Sequence, residues 1–273
     1  MNRFTPSFPT PLHRDVCDII LSFFGERPEV DSILLLNSCA RGHATPQSDL
    51  DVAVLSAPNL TSSQLNHLID QWLLFSKSNP IISIFNHSSP FSHVHLDFIS
   101  GHYSPNVWDD GGGPDDFELE IGNHLVYSSL LSSPGPHFTE LQDLWLPYYA
   151  HSLREPRLTM VRDACLYDLE HISFFNDRSL YFQAFDRLYK AFREFMQLLF
   201  IAQSRYPIAY NKWIYQQVVD ILALDDLYPE LVSILSVDNV ESNNLVEKGR
   251  MLLHLVESWG FGDSTTASNN TST

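Results

Sequence analysis

The chain has 273 residues, enough for one large domain or two ordinary ones, and its 44% hydrophobic and 12% aromatic content provides for a substantial core. Its 33 acidic against 16 basic residues give a formal net charge of −17, which argues against a dedicated nucleic-acid binder and suits a small, neutral or cationic partner. Three scattered cysteines, Cys17, Cys39 and Cys165, show neither a disulfide framework nor zinc spacing, and no signal-peptide or membrane-length apolar run appears, so a cytoplasmic protein without membrane contact is expected.

Val16, Ile19, Ile20 and Phe23 recur at helical spacing and predict an opening helix over 12–24. An apolar strand, Ile33–Leu36, runs into a turn of small residues. A polar loop then leads to a second strand, Asp51–Leu55. Thr61, Ser62 and Ser63 offer caps for a helix over 62–76. Ile81–Phe85 and His93–Ile99 read as strands. On the latter, Val94, Leu96 and Phe98 take one face, and His93, His95, Asp97 and Ile99 the other. Ser104–Asp116, with glycines 111–113 set between acids, reads as a flexible acidic loop. Val126–Leu131 predicts a last strand.

Beyond the turn Ser133–Pro136 the pattern becomes long amphipathic helices: Phe138–Leu153, Arg157–Phe175, Ser179–Gln203, Lys212–Leu222, Leu227–Leu235 and Val240–Trp259. The expected class is α+β, a small mixed sheet followed by an all-α helical bundle. The expected divisions are 1–135, 136–262 and a disordered tail over 263–273.

The chemistry concentrates between residues 37 and 51, which read Asn37-Ser38-Cys39-Ala40-Arg41-Gly42, then Ser48-Asp49-Leu50-Asp51. Side chains two apart on a strand share a face, so Asp49 and Asp51 project together. Such a pair repels itself unless a cation lies between, and Mg²⁺ takes oxygen ligands while keeping positions open for phosphate. Ser38, Arg41 and Gly42 bring a hydroxyl, a guanidinium and backbone amides to one turn, a combination that binds anions. A phosphate site beside a carboxylate-held metal is the layout of phosphoryl transfer. Cys39 reads as a small residue in this turn rather than a nucleophile.

These residues resemble the nucleotidyltransferase superfamily that includes DNA polymerase β and the minimal and aminoglycoside nucleotidyltransferases. The superfamily pattern is an apolar strand, Gly-Ser, often Ala-Arg-Gly, then Ser-Asp-x-Asp. Ser38, Ala40-Arg41-Gly42 and Ser48-Asp49-Leu50-Asp51 match in order, over roughly the first 100 residues. Asn37 stands where the superfamily usually has glycine, and asparagine is the next best residue for a left-handed backbone.

The resemblance implies a third carboxylate on a later strand, which Asp97 supplies as metal ligand or base. It implies Mg²⁺, a nucleoside triphosphate (ATP first) and transfer of the nucleoside monophosphate to a hydroxyl acceptor, an aminoglycoside-like small molecule or a protein. In the helical half, Arg187 and Lys190 share a face of the strongest helix, with Arg193 next in the spacing. Lys212 falls in a Tyr-Pro…Lys-Trp segment similar to one in related helical domains. Arg187, Lys190 and Lys212 are the candidate phosphate contacts, although Asp186 and Glu194 offer Arg187 and Lys190 intrahelical partners. Asp168 and Glu170 are further candidates for the base, against surface acids as the plainer reading. Trp213 reads as core. The alternative function is a nucleotide-binding or regulatory protein of the same fold without turnover, which Asn37 supports.

Overall fold

The computed structural model describes residues 4–261. The tail expected over 263–273 lies outside the described residues. The chain divides into two compact units. The first is built from the residues up to Ser104 and from Glu120–Pro147; the second from Pro105–Leu119 and the chain from Tyr148 onward. The sequence suggests a single boundary near Pro134–Pro136; instead the acidic loop belongs with the helical half, and Pro136–Pro147 with the sheet.

In the first unit, α1 spans Pro11–Phe24, with Thr10 as its cap and Pro11 preset for the first turn. Val16, Ile20 and Phe24, four apart, are fully buried. β1 (Val30–Leu35) leads to the single turn α2 (Asn37–Ala40), and β2 follows (Leu50–Ser56). α3 (Ser62–Ser78) opens with a Thr61–Gln64 capping box. α4 (Pro80–Asn86) precedes β3 (Val94–Ile99), and β4 is the short pair Ser129–Leu130. Among the described residues, four strands form a mixed sheet in the order β3-β2-β1-β4. β2 runs parallel to β3, and β1 antiparallel to β2 and β4. Ile33, Leu35, Val52 and Val54 are buried with α1 and α3 residues such as Phe24 and Trp72.

Two expectations for this half are corrected. Ile81–Phe85 is helical. Asn79 Oδ1 accepts from the amides of Ile81 (3.0 Å) and Ile82 (3.2 Å), Pro80 occupies the first turn, and Ile82 and Phe85 are buried three apart. Cap and proline outweigh the β-branched run. The strand over 126–131 shrinks to β4, because Gly122–Val126 forms a π-helical turn directly after α5 (Phe117–Ile121).

α6 spans Pro136–Trp145; Leu146 keeps helical backbone and donates its N–H to Gln142 O (2.9 Å), and Pro147, which has no N–H to donate, follows. In the second unit, α7 (His151–Asn176) runs through Pro156, and α8 (Tyr181–Ala202) packs along it through residues including Cys165, Leu188 and Phe195. Residues 216–221 form a second π-helical turn, so the helix expected over 212–222 is shorter and of a different type. Trp213 is 36% exposed at a φ of 60°, outside the core expected for it. α9 (Leu227–Leu235) and α10 (Asn244–Ser258) complete the unit.

The loop before α5 is anchored, not flexible. Arg157, 3% exposed, grips Glu118 (Nε–Oε1, 2.6 Å) and Asp115 (Nη2–Oδ1, 2.6 Å), and the Gln197 amide donates to both acids at 2.9 Å. Such bidentate, charge-assisted contacts fix geometry. No described helix is long and apolar enough to cross a membrane.

Candidate active site

The turn after β1 is held by its own backbone. Leu36 N–H donates to Asp51 O (2.9 Å), His43 N–H to Ser38 O (2.9 Å), and Arg41 N–H to Asn37 O (3.1 Å). Asn37 has a φ of 50°, in the left-handed region, so the residue standing for glycine adopts the backbone that glycine favours. Gly42 has a φ of 74°, and a Cβ there would lie 2.6 Å from Thr5 O, so glycine is required twice over. Ser38 is half-buried. The first amides of a helical turn have no intrahelical acceptor, which leaves backbone donors beside the Ser38 hydroxyl.

Ser48 closes the loop before the carboxylates. Thr45 N–H donates to Ser48 Oγ (2.9 Å) and Ser48 N–H to Thr45 O (2.9 Å). The loop is tied to α1 by His13, which sequence reasoning missed. Its Nε2 lies 3.1 Å from Ser48 O and its Nδ1 2.8 Å from Thr10 Oγ1. A carbonyl only accepts, so Nε2 carries the proton and Nδ1 accepts from the threonine hydroxyl. The ring is buried, and burial lowers its pKa, outweighing the opposing Ser48 carbonyl and Asp49. A signal for this role was present, since His13 falls on the same helical face as Val16 and Ile20.

Asp49 and Asp51 are half-buried at the start of β2. β2 and β3 pair Asp51 with His95 and Ala53 with Asp97. Parallel partners point the same way, so Asp97 shares the face of Asp51, one diagonal step further along. His95 Nε2 reaches 3.7 Å from Asp49 Oδ2, with both side chains partly open to solvent. Asp97 is exposed. Its charge acts on His124, whose pKa burial lowers to about 4 against that opposing influence; His124 Nδ1 lies 3.4 Å from Tyr103 Oη.

Among the described residues no three His, Cys, Asp or Glu side chains gather closely enough to hold an ion. Asp49, Asp51 and Asp97 share a face, with Asp97 one diagonal step from Asp51 in the register. The Asp49–Asp51 pair by itself suits Mg²⁺, which keeps several waters and takes one or two protein carboxylates together with substrate phosphates.

Arg41 differs from its expected role. It is 3% exposed, and burial lowers its pKa to about 10 against the opposing influence of Tyr127 and Asp51. Its guanidinium is therefore buried near Asp51 rather than presented to a ligand. The thiol of Cys39 is pushed up to about 12 by burial and by Asp51 and Asp49, so it is no nucleophile at neutral pH.

The basic candidates of the second unit have local partners. Arg187 pairs with the buried Asp168, lies over the Tyr167 and Phe175 rings, and is covered at Gly111, where a Cβ would collide with its guanidinium. It is held inside its own unit by a carboxylate in place of phosphate. That same pair makes Asp168 unsuited to serve as an accessible base, while Glu170 is exposed. Lys190 pairs with Asp186 at 2.9 Å, one helical turn back. Lys212 is exposed.

No protein-family model matches the chain, and no curated protein matches it. Among solved structures it is similar to a nucleotidyltransferase-like protein from Exiguobacterium sibiricum 255-15. The identity is 14% and the TM-score 0.40, covering 90% of this chain and 74% of the other.

Proposed function

We propose that the chain is a nucleotidyltransferase that moves a nucleoside monophosphate from a nucleoside triphosphate to a hydroxyl acceptor. The observation that carries this reading is the joint placement of Asp51 and Asp97 on one sheet face, next to a turn whose Asn37 is left-handed. Ser38 and the amides of its turn bind phosphate oxygens. Asp49 and Asp51 hold Mg²⁺, which when bound supplies charge stabilisation to the transferring phosphate. Asp97 accepts the proton of the acceptor hydroxyl. The oxygen so freed bonds to the α-phosphorus, the bond from that phosphorus to the bridging oxygen breaks, and pyrophosphate leaves. Buried Arg41 offsets the charge of Asp51 from beneath and positions it.

A second reading is supported by the separation of Asp97 from the pair and by its exposure: a protein that binds nucleotide without turning it over. Pyrophosphate release separates the two. Full-length protein is supplied with labelled ATP, Mg²⁺ and a panel of aminoglycosides and hydroxyl-bearing proteins. Transfer requires release of pyrophosphate from ATP in the presence of at least one acceptor, and Asp97→Asn lowers its rate by about 10²–10⁴ while nucleotide binding persists. Binding without pyrophosphate across the panel supports the second reading and overturns the first.

A further inference from the structure

The second unit contains a cavity of about 200 Å³ that nucleotide chemistry does not use. Met160, Val161 and Ala164 of α7 line one side, Glu194 and Gln197 of α8 another, and Trp108 with Gly112–Asp115 of the anchored loop cover it. A cavity of roughly 150 Å³ holds benzene, so this one takes a small organic molecule.

Glu194 is the feature that calls for a ligand. It is 0% exposed, and neither carboxyl oxygen has a hydrogen-bond partner among the described residues. Buried polar groups are nearly always satisfied, so an orphaned carboxyl against a cavity is exceptional. The side-chain donors of Gln197, Arg187 and Lys190 are engaged elsewhere, while the indole Nε1–H of Trp108 and the Nε–H groups of Arg187 and Arg193 are themselves without a partner among the described residues. Gln197 donates to Asp115 and Glu118 at 2.9 Å, Arg187 pairs with Asp168, and Lys190 with Asp186 at 2.9 Å. The remaining wall is the Trp108 indole, the Met160 thioether, the aliphatic side chains of Val107, Pro114, Val161 and Ala164, and the amide of Asn106, with Asp109 also on the lining. An orphaned acid, with Asp109 and Asp115 also on the lining and the Trp108 indole as an aromatic wall, suits a single cationic head on a hydrocarbon body.

We propose that this cavity binds a small organic ammonium compound, with its nitrogen on Glu194 and its hydrocarbon against Trp108, Met160 and Val161. The assignment is independent of the nucleotide reading. Burial and the charge of Asp168 raise the Glu194 pKa to about 9, against Lys190, Arg187 and Arg193. Cys165, Asp109 and Asp115 also lie around it, and none supplies a cation. The empty cavity thus holds a neutral acid at pH 7.5. An ammonium docking there converts that acid to a carboxylate, so the O–H bond breaks and one proton passes to solvent for each ligand bound.

Benzylammonium is the probe, with benzyl alcohol and benzoate as neutral and anionic controls. Titration calorimetry of the full-length protein at pH 7.5, in two buffers of different ionisation enthalpy, reads both affinity and protons. The expected result is saturable binding of benzylammonium with close to one proton released, and no binding of either control. Glu194→Gln, isosteric with the protonated acid, weakens binding at least tenfold. Ala164→Leu fills the cavity from α7 and weakens it independently should the glutamine variant fail to fold. Absence of benzylammonium binding to the native protein overturns the proposal. So does equal binding of benzyl alcohol, binding without proton release, or unchanged affinity in either folded variant.

Discussion

Asn37 sits at a φ of 50°, in a region where a Cβ costs about 1–2 kcal/mol in most residues and less in asparagine. Asn37→Ala is expected to lower stability by about 1 kcal/mol, and Asn37→Gly to change it by only a few tenths, both read from urea midpoints. An alanine variant as stable as the parent would show that the turn relaxes instead. The two histidines missed in the sequence make a second prediction. Burial holds His13 and His124 below the ordinary value of 6.5 in the folded protein. Between pH 6.5 and about 4 the unfolded chain takes up protons that the folded one does not. Their contribution is therefore complete above pH 6.5 and is lost as the solution is acidified. Guanidinium midpoints should fall over that window, and His124→Gln should flatten the slope. An identical slope in the variant would exclude His124 as a source. His13 was readable as a buried-face histidine; His124 was not, since its partners Tyr103 and Asp97 lie more than 20 residues away in sequence and on different elements.

At the scale of elements, α4 shows which local signal dominates. A run of isoleucines favours a strand, yet Asn79 and Pro80 ahead of it start a helix. Asn79→Ala should cost about 1 kcal/mol, measurable by thermal denaturation; no loss would mean that packing of Ile82 and Phe85 alone sets the helix. The strands of the site were legible because their apolar runs are flanked by polar turns: β2 begins one residue before its expected start, and α9 matches its expected span. The π-helical turns were not, because their spacing falls outside the helix and strand periods that a pattern carries. The role of the 105–119 segment was hidden for a different reason. Asp115, in the loop, and Glu118, in α5, are ordinary acids until Arg157, from a helix far along the chain, is set between them. The candidate site was half legible. The turn and the shared face of Asp49 and Asp51 follow from residue order and alternation, whereas the placement of Asp97 on that face comes from the β2–β3 register. The burial of Arg41 and the engagement of Arg187 by Asp168 depend on tertiary neighbours that no motif reports.

On the scale of the whole molecule, the charge of −17 opposes the approach of a triphosphate, and screening by salt weakens that repulsion only beyond about 10 Å. Close to the sheet, Asp49 and Asp51 add to the repulsion unless a cation accompanies the nucleotide. The account therefore makes nucleotide affinity depend on Mg²⁺ through these two residues. The direct measurement is calorimetric titration of the full-length protein with a non-hydrolysable ATP analogue, in Mg²⁺ and in EDTA, for the parent and for Asp51→Asn. A charge-assisted contact is worth about 1.5–3 kcal/mol, or roughly ten- to a hundredfold in affinity. The account predicts that the parent binds at least tenfold more tightly with Mg²⁺ and that the folded variant binds weakly and equally in both conditions. Parent binding indifferent to Mg²⁺, or a variant that keeps the full Mg²⁺ effect, would contradict it.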